Sequence, residues 1–339
     1  MRYCHLALIL TTILFISISC NSKDNTDKNT EATNAVDLCN NLDSLNIVLE
    51  TDTTNGELYS CRAQLLYDKG DFVNALYDIQ YAMQYKGNNI PDLLLLADVY
   101  WGLGNSSLAR QAIGVAESID DKDYTVYYAL GRHFYLTQVF ELSKGYLRRS
   151  IELEPNNPYA FSLLGEIELA EGDTVAAIND LHRAIQVDNN FYPAYMQLAT
   201  INLVQNTTLT PQYLYNALNI NPNSTEAIYM LGVYNQQNEI FDEAIVNYKK
   251  VYDLDSLFIL ACYNLGYIYL AEKNVFDSAY IWFDKAVNID TTYCDAIYNR
   301  AYSMELLGNV EDAEKEYRRV LRLDSTHQLA KSRLNDVGQ

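Results

Sequence analysis

A small residue returns along this chain at an almost fixed step. Ala63, Ala97, Gly131, Gly165, Ala199, Gly232, Gly266 and Ala301 are separated by 34, 34, 34, 34, 33, 34 and 35 residues. A second series, Ala82, Ala116, Ser150, Ala184, Ala217, Val251, Ala286 and Val320, runs with steps of 34, 34, 34, 33, 34, 35 and 34. Self-similarity at this period marks stacked repeats, each of which buries its apolar face only against its neighbours.

Residues 158–191 show one unit. Phe161, Leu164 and Gly165 recur at i, i+3 and i+4, which is helical spacing. Glu171-Gly172-Asp173 breaks the pattern, and glycine can take the left-handed conformation that ends a helix. Ala177, Leu181 and Ala184 then share one face of a second helix. Small residues suit the close crossing of the two helices. The fourth positions, Tyr59, Leu93, Tyr127, Phe161, Tyr195, Ile228, Cys262 and Ile297, supply knobs against the preceding unit.

The pattern resembles the tetratricopeptide repeat, a helix–turn–helix unit. Its Leu-Gly pair stands at Leu130-Gly131, Leu164-Gly165, Leu231-Gly232 and Leu265-Gly266, with Leu96-Ala97 and Leu198-Ala199 as variants. Its Ala at position twenty matches Ala75, Ala109, Ala177, Ala244, Ala279 and Ala313. The helix-ending Pro occurs only at Pro155 and Pro222, and the Trp at position four is absent. The resemblance implies an all-α fold, a right-handed superhelical solenoid of antiparallel helix pairs. About eight repeats are expected over 56–327. A capping helix or degenerate repeat is expected over 35–55, where Leu38, Leu42, Leu45 and Leu49 share a face. A C-terminal capping helix is expected over 328–339, with Leu329, Ala330, Leu334 and Val337 inward and Lys331 and Arg333 outward. Repeat five is irregular: Thr210 is expected as N-cap and Pro211 as the first helical residue, giving a late second helix and a weak joint.

The run 6–19 is uncharged and follows Arg2. It is short for a bilayer-spanning helix, which needs about 20 residues, and fits a signal-peptide core, giving a signal over 1–19. Ser17-Ile18-Ser19-Cys20 resembles a bacterial lipoprotein box, which implies lipidation of Cys20 and attachment to the outer membrane. Ordinary secretion is the plainer alternative, and the face of the membrane stays open. Residues 20–34 hold too little apolar surface to fold and read as a tether.

A formal charge of −20 argues against nucleic acid and against an electrostatic membrane contact. Cys39, Cys61, Cys262 and Cys294 lie beyond the anchor, with no metal-binding spacing. A Cys39–Cys61 bridge is conceivable in an exported chain. Buried free thiols are the expectation. No catalytic motif appears, His133, His182 and His327 fall in different repeats, and no enzyme, metal or cofactor is expected.

By the same resemblance, positions two, five, nine, twelve and thirteen of each first helix line an inner groove. Tyr67, Trp101, Tyr128, Arg132, Tyr135, Tyr229, Tyr263, Tyr267, Tyr298 and Tyr302 fall there and are the candidate binding residues. Tyrosine gives contact area at low entropic cost and keeps a hydroxyl. It is also common at these positions of the family, so a merely structural role competes. Groove charge is mostly acidic: Glu57, Asp68, Asp98, Glu166, Glu226, Asp295 and Glu305 against Arg132. The partner expected is a protein or peptide, held by a lipid-anchored scaffold. A surface lipoprotein that captures glycans by aromatic stacking is the alternative; a small-molecule ligand is disfavoured.

Overall fold

The computed structural model describes residues 38–337, Val337 without its side chain. The signal segment, Cys20 and the tether lie outside the described residues. The described residues form eighteen α-helices and no strand. The first is α1 (Leu42–Thr51). Eight antiparallel hairpins follow among the described residues, in two units that divide between Asn189 and Asn190.

In the first unit the hairpins are α2 (Gly56–Asp68) with α3 (Phe72–Lys86), α4 (Ile90–Gly102) with α5 (Ser106–Ile119), α6 (Tyr124–Leu136) with α7 (Phe140–Leu153), and α8 (Pro158–Glu171) with α9 (Thr174–Val187). In the second they are α10 (Tyr192–Val204) with α11 (Thr210–Ile220), α12 (Thr225–Gln237) with α13 (Phe241–Leu254), α14 (Ile259–Tyr267) with α15 (Phe276–Ile289), and α16 (Cys294–Leu306) with α17 (Val310–Leu323). The last helix is α18 (Gln328–Val337).

The periodic small residues do what their spacing suggests. A Cβ built on Gly131 would lie 2.6 Å from Leu147, and one on Gly232 would lie 2.6 Å from the Tyr248 ring. Both are steric overlaps, so position eight must stay small for the two helices of a hairpin to close. Where the series carries alanine, Ala63, Ala97, Ala199 and Ala301 are all buried. Six of the fourth-position knobs are buried as well, while Tyr59 and Tyr127 are half-buried.

Each hairpin turn contains one residue with positive φ. Gly70, Gly104, Gly172 and Gly308 supply it in four hairpins; Gln138, Asn206, Glu239 and Asn274 do so in the others. The turn geometry is thus set by the fold, and glycine marks it in half the cases.

The two irregular steps have different physical outcomes. The extra residue of the 35-residue step is absorbed inside the seventh hairpin, where α14 runs on as a π-helical turn over Ile268–Glu272. The missing residue of the 33-residue step shortens α11 to 11 residues. Thr210 is not the N-cap of α11: Leu209 holds that place without a side-chain cap, and Pro211 is the second helical residue. The Thr210 side chain is buried and its hydroxyl has no partner. Polar side chains fix the loop instead. Thr207 Oγ1 donates to Asn202 Oδ1 at 2.6 Å, and Asn238 Nδ2 donates to Asn206 Oδ1 at 3.0 Å.

The ends also correct the reading. Cys39 and Cys61 form a disulfide, so they are not free thiols; Cys262 is free and buried, and Cys294 is free and partly accessible. Cys39 precedes α1, and the bridge ties the entry of that helix to α2. Leu45 and Leu49 of α1 are buried as expected. Arg62 adds a polar tie, donating to both Asp78 oxygens at 2.6 and 2.8 Å and to Asn46 Oδ1 at 3.0 Å. At the other end Ala330 is buried and Leu334 packs on the core, but Leu329 is exposed. Arg333 turns inward: Nη1 donates to Glu305 Oε1 at 3.3 Å, and the guanidinium lies 4.3 Å from the Tyr302 ring centroid.

Candidate partner-binding face

In the second unit the position-five tyrosines form a hydrogen-bonded ladder. Asn264 Nδ2 of α14 donates to the Tyr229 hydroxyl of α12 at 3.2 Å. Asn299 Nδ2 of α16 donates to the Tyr263 hydroxyl at 3.1 Å. At the last step Arg333 of α18 stands beside Tyr298, close enough for each to shift the other's pKa. Each tyrosine therefore reaches one repeat forward, to the residue one place beyond the equivalent tyrosine position. Burial raises the pKa of all three, that of Tyr229 to about 12, so the hydroxyls stay protonated.

Ring contacts run along the same line. Tyr229 packs on Tyr248 and Phe258 at 5.6 and 5.0 Å, and Tyr263 on Phe283 and Tyr293 at 5.6 and 5.2 Å. Tyr298 packs on Tyr317 at 5.6 Å and stacks on Tyr302 at 6.4 Å. Tyr229 and Tyr298 are only 9% and 8% exposed, so neither is the freely accessible position-five side chain expected from sequence. Tyr263 and Tyr302 are half-buried, and Tyr267 is 40% exposed. A partner on this face would meet Tyr267, Tyr263, Tyr302 and Tyr293, with Tyr229 and Tyr298 as their support.

The position-twelve residues brace the ladder from behind. Tyr248 donates to Gln236 Oε1, and Tyr317 to Glu305 Oε2, both at 2.7 Å. Asn264, Asn299, Arg333 and Tyr293 were not among the candidates. The signal for two of them is the Tyr-Asn dipeptide, repeated at 263–264 and 298–299.

The first unit arranges its candidates differently. Arg132 forms an ion pair with Asp98 and lies near Tyr67; burial nonetheless lowers the guanidinium's pKa, opposed by that tyrosine. Arg132, Asp98 and Trp101 line a small cavity together with Ala97, Ala109 and His133. Trp101 meets the His133 ring edge-on at 5.6 Å. Burial and the Arg110 and Arg132 charges lower the pKa of His133. Tyr135 lies near Glu166, and burial, reinforced by that carboxylate, raises the tyrosine pKa to about 12. Tyr128 packs on Tyr159 at 6.3 Å. Tyr67, Trp101 and Arg132 are thus brought together, while Tyr128 and Tyr135 belong to separate contacts.

The profile of the tetratricopeptide repeat matches residues 259–293 and 295–327, the hairpins α14–α15 and α16–α17. Among solved structures, the crystal structure of the APC/C hetero-tetramer Cut9-Hcn1 aligns over 92% of this chain and 61% of its own matched chain, with a TM-score of 0.55 and 16% identity. The human IFIT1 dimer with PPP-AAAA aligns over 83% of this chain and 68% of its own, with a TM-score of 0.54 and 16% identity. At such identities the likeness is one of fold: an all-α array of stacked helix hairpins. No curated protein sequence matches the chain.

Proposed function

We propose that this chain is a non-catalytic, lipid-anchored scaffold of the bacterial envelope whose second unit holds a segment of another protein. The observation that carries the reading is the tyrosine ladder. It fixes side chains through neighbouring repeats and leaves Tyr267 exposed at its edge, with Tyr263 and Tyr302 half-buried beside it. Rigid aromatic side chains lose little entropy on binding, which suits them as anchors at protein interfaces.

The repeat architecture supports a scaffold over glycan capture. Among the described residues the hairpins follow one another through short connections, and no long insertion interrupts them to build a sugar site. Anchoring rests on sequence alone, on the apolar run 6–19 ending at Cys20. No helix among the described residues is long and apolar enough to cross a membrane.

A photo-reactive phenylalanine placed at 267 or 302 in the full chain, in intact envelopes, should trap a protein. The same probe at Val246, an exposed residue of the second helix α13, should not. Trapping only from position 246 would move the site to the other helices. Replacing Cys20 by Ser should release the protein from the membrane fraction; unchanged membrane retention would rule out the lipid.

A further inference from the structure

Cations are placed unevenly between the helices of the second unit. Its four first helices, α10, α12, α14 and α16, carry one cation in total, Arg300. That guanidinium is buried, donating to Asp284 Oδ1 at 2.7 Å and Glu316 Oε2 at 2.6 Å. The second helices α13, α15 and α17 carry Lys249, Lys250, Lys285, Lys315, Arg318, Arg319 and Arg322. Acids stand on both sets of helices, but those of α13, α15 and α17 have lysines or arginines on the same helix, whereas α12, α14 and α16 carry Glu226, Asp295 and Glu305 with Arg300 alone.

These acids are not equivalent. Glu305 is engaged by Arg333 and by the Tyr317 hydroxyl. Asp295 lies beside Tyr263 and Tyr293, close enough to raise both their pKa values, and 3.6 Å from His327 Nε2. Glu226 stands at the start of α12, near Tyr192. It is solvent-exposed, yet surrounding protein raises its pKa, and no lysine or arginine among the described residues pairs with it. An accessible carboxylate that lacks a cation gains from one supplied by a partner.

We propose, resting on the protein-binding reading above, that the segment held on this face is basic. Its arginine or lysine side chains would pair with Glu226 and Asp295, and their flat or aliphatic parts would lie on Tyr263, Tyr267 and Tyr293. Tyrosine faces attract guanidinium groups, and the one cation of these helices, Arg300, is buried against Asp284 and Glu316 and so does not compete.

The test uses the full chain and a fluorescent peptide that alternates arginine with alanine and leucine. Its control has citrulline in place of every arginine, which keeps shape and hydrogen bonding but removes charge. The arginine peptide should bind at least about thirtyfold more tightly. Glu226→Gln combined with Asp295→Asn should weaken it roughly tenfold. Glu311→Gln with Asp312→Asn, two exposed acids of α17, changes net charge equally and should leave affinity within about twofold. Equal binding of the citrulline peptide, or equal loss in both double variants, would overturn the proposal. A natural partner trapped at position 267 through an acidic or uncharged segment would also overturn it, while leaving the protein-binding reading standing. Failure to trap any partner there would remove both.

Discussion

The first-helix faces of the two units are built from the same repeat positions and put to opposite uses. In the first unit the polar groups are committed locally: Arg132 pairs with Asp98 beside Tyr67, and the Tyr135 hydroxyl lies against Glu166. In the second, Tyr229 and Tyr263 accept from Asn264 and Asn299 of the next repeat, and Tyr298 lies beside Arg333. That internal pairing is neutral until its final step, and Glu226 is left without a cation. The comparison teaches that an aromatic residue at a groove position is not thereby a contact residue. Its hydroxyl can be committed to the next repeat, and the residue becomes part of the spine.

The largest expected effect separates spine from surface. Tyr298→Ala removes a buried ring packed on Tyr317, Tyr302 and His327 and should cost about 3–5 kcal/mol of stability. Tyr128→Ala, half-buried in the first unit, should cost well under half of that. Comparable losses in chemical denaturation would erase the distinction drawn between the two faces.

The ends of the chain sharpen it next. The first unit closes its entry covalently through Cys39–Cys61, the second closes its exit through Arg333. Cys61→Ser should cost about 3 kcal/mol, since the bridge closes a loop of 22 residues. Hydrogen exchange should place the loss in α1 and α2; unchanged protection there would mean that the bridge does not order the cap.

The last contrast is a pH dependence centred on Glu168 of the first unit. Glu168 has a pKa raised from 4.5 to about 7, first by burial and then by Asp180 and Asp173, against the opposing Lys144 and Arg148. A carboxyl whose folded pKa is raised contributes stability below its unfolded pKa and loses it as pH rises through the folded one. Relative to the natural chain, Glu168→Gln should therefore gain stability between pH 4.5 and about 7 and remain ahead above it. The ladder tyrosines stay protonated throughout that range, so Tyr263→Phe should show no such slope. A slope in Tyr263→Phe, or none in Glu168→Gln, would break the contrast.

Much of the fold was legible because it is repetitive. Small residues at position eight and apolar residues at position four are required in every hairpin, so their period survives sequence drift. The hairpin turns were half-legible: four use glycine, but Gln138, Asn206, Glu239 and Asn274 meet the same backbone demand without advertising it. The one-residue insertion was visible as a 35-residue step, yet nothing in composition says that a π-helical turn absorbs it. Among candidate residues, helical spacing placed Tyr229 and Tyr298 on the right helices but could not show their burial. Burial depends on Phe258, Tyr248, Tyr317 and His327, which come from other helices and loops. Arg333 was read outward for the same reason: its partners Glu305 and Tyr298 belong to the preceding repeat.

The claim that binding rests on the exposed edge of the ladder is tested most directly by Tyr267→Ala in the full chain. Its affinity would be measured against whatever protein is trapped at that position, alongside its thermal unfolding. With 40% of the side chain exposed, stability should change by less than about 1 kcal/mol. Binding should fall about thirtyfold, as for an aromatic hot spot worth about 2 kcal/mol. A folded Tyr267→Ala variant that binds its partner as tightly as the natural chain would contradict the account.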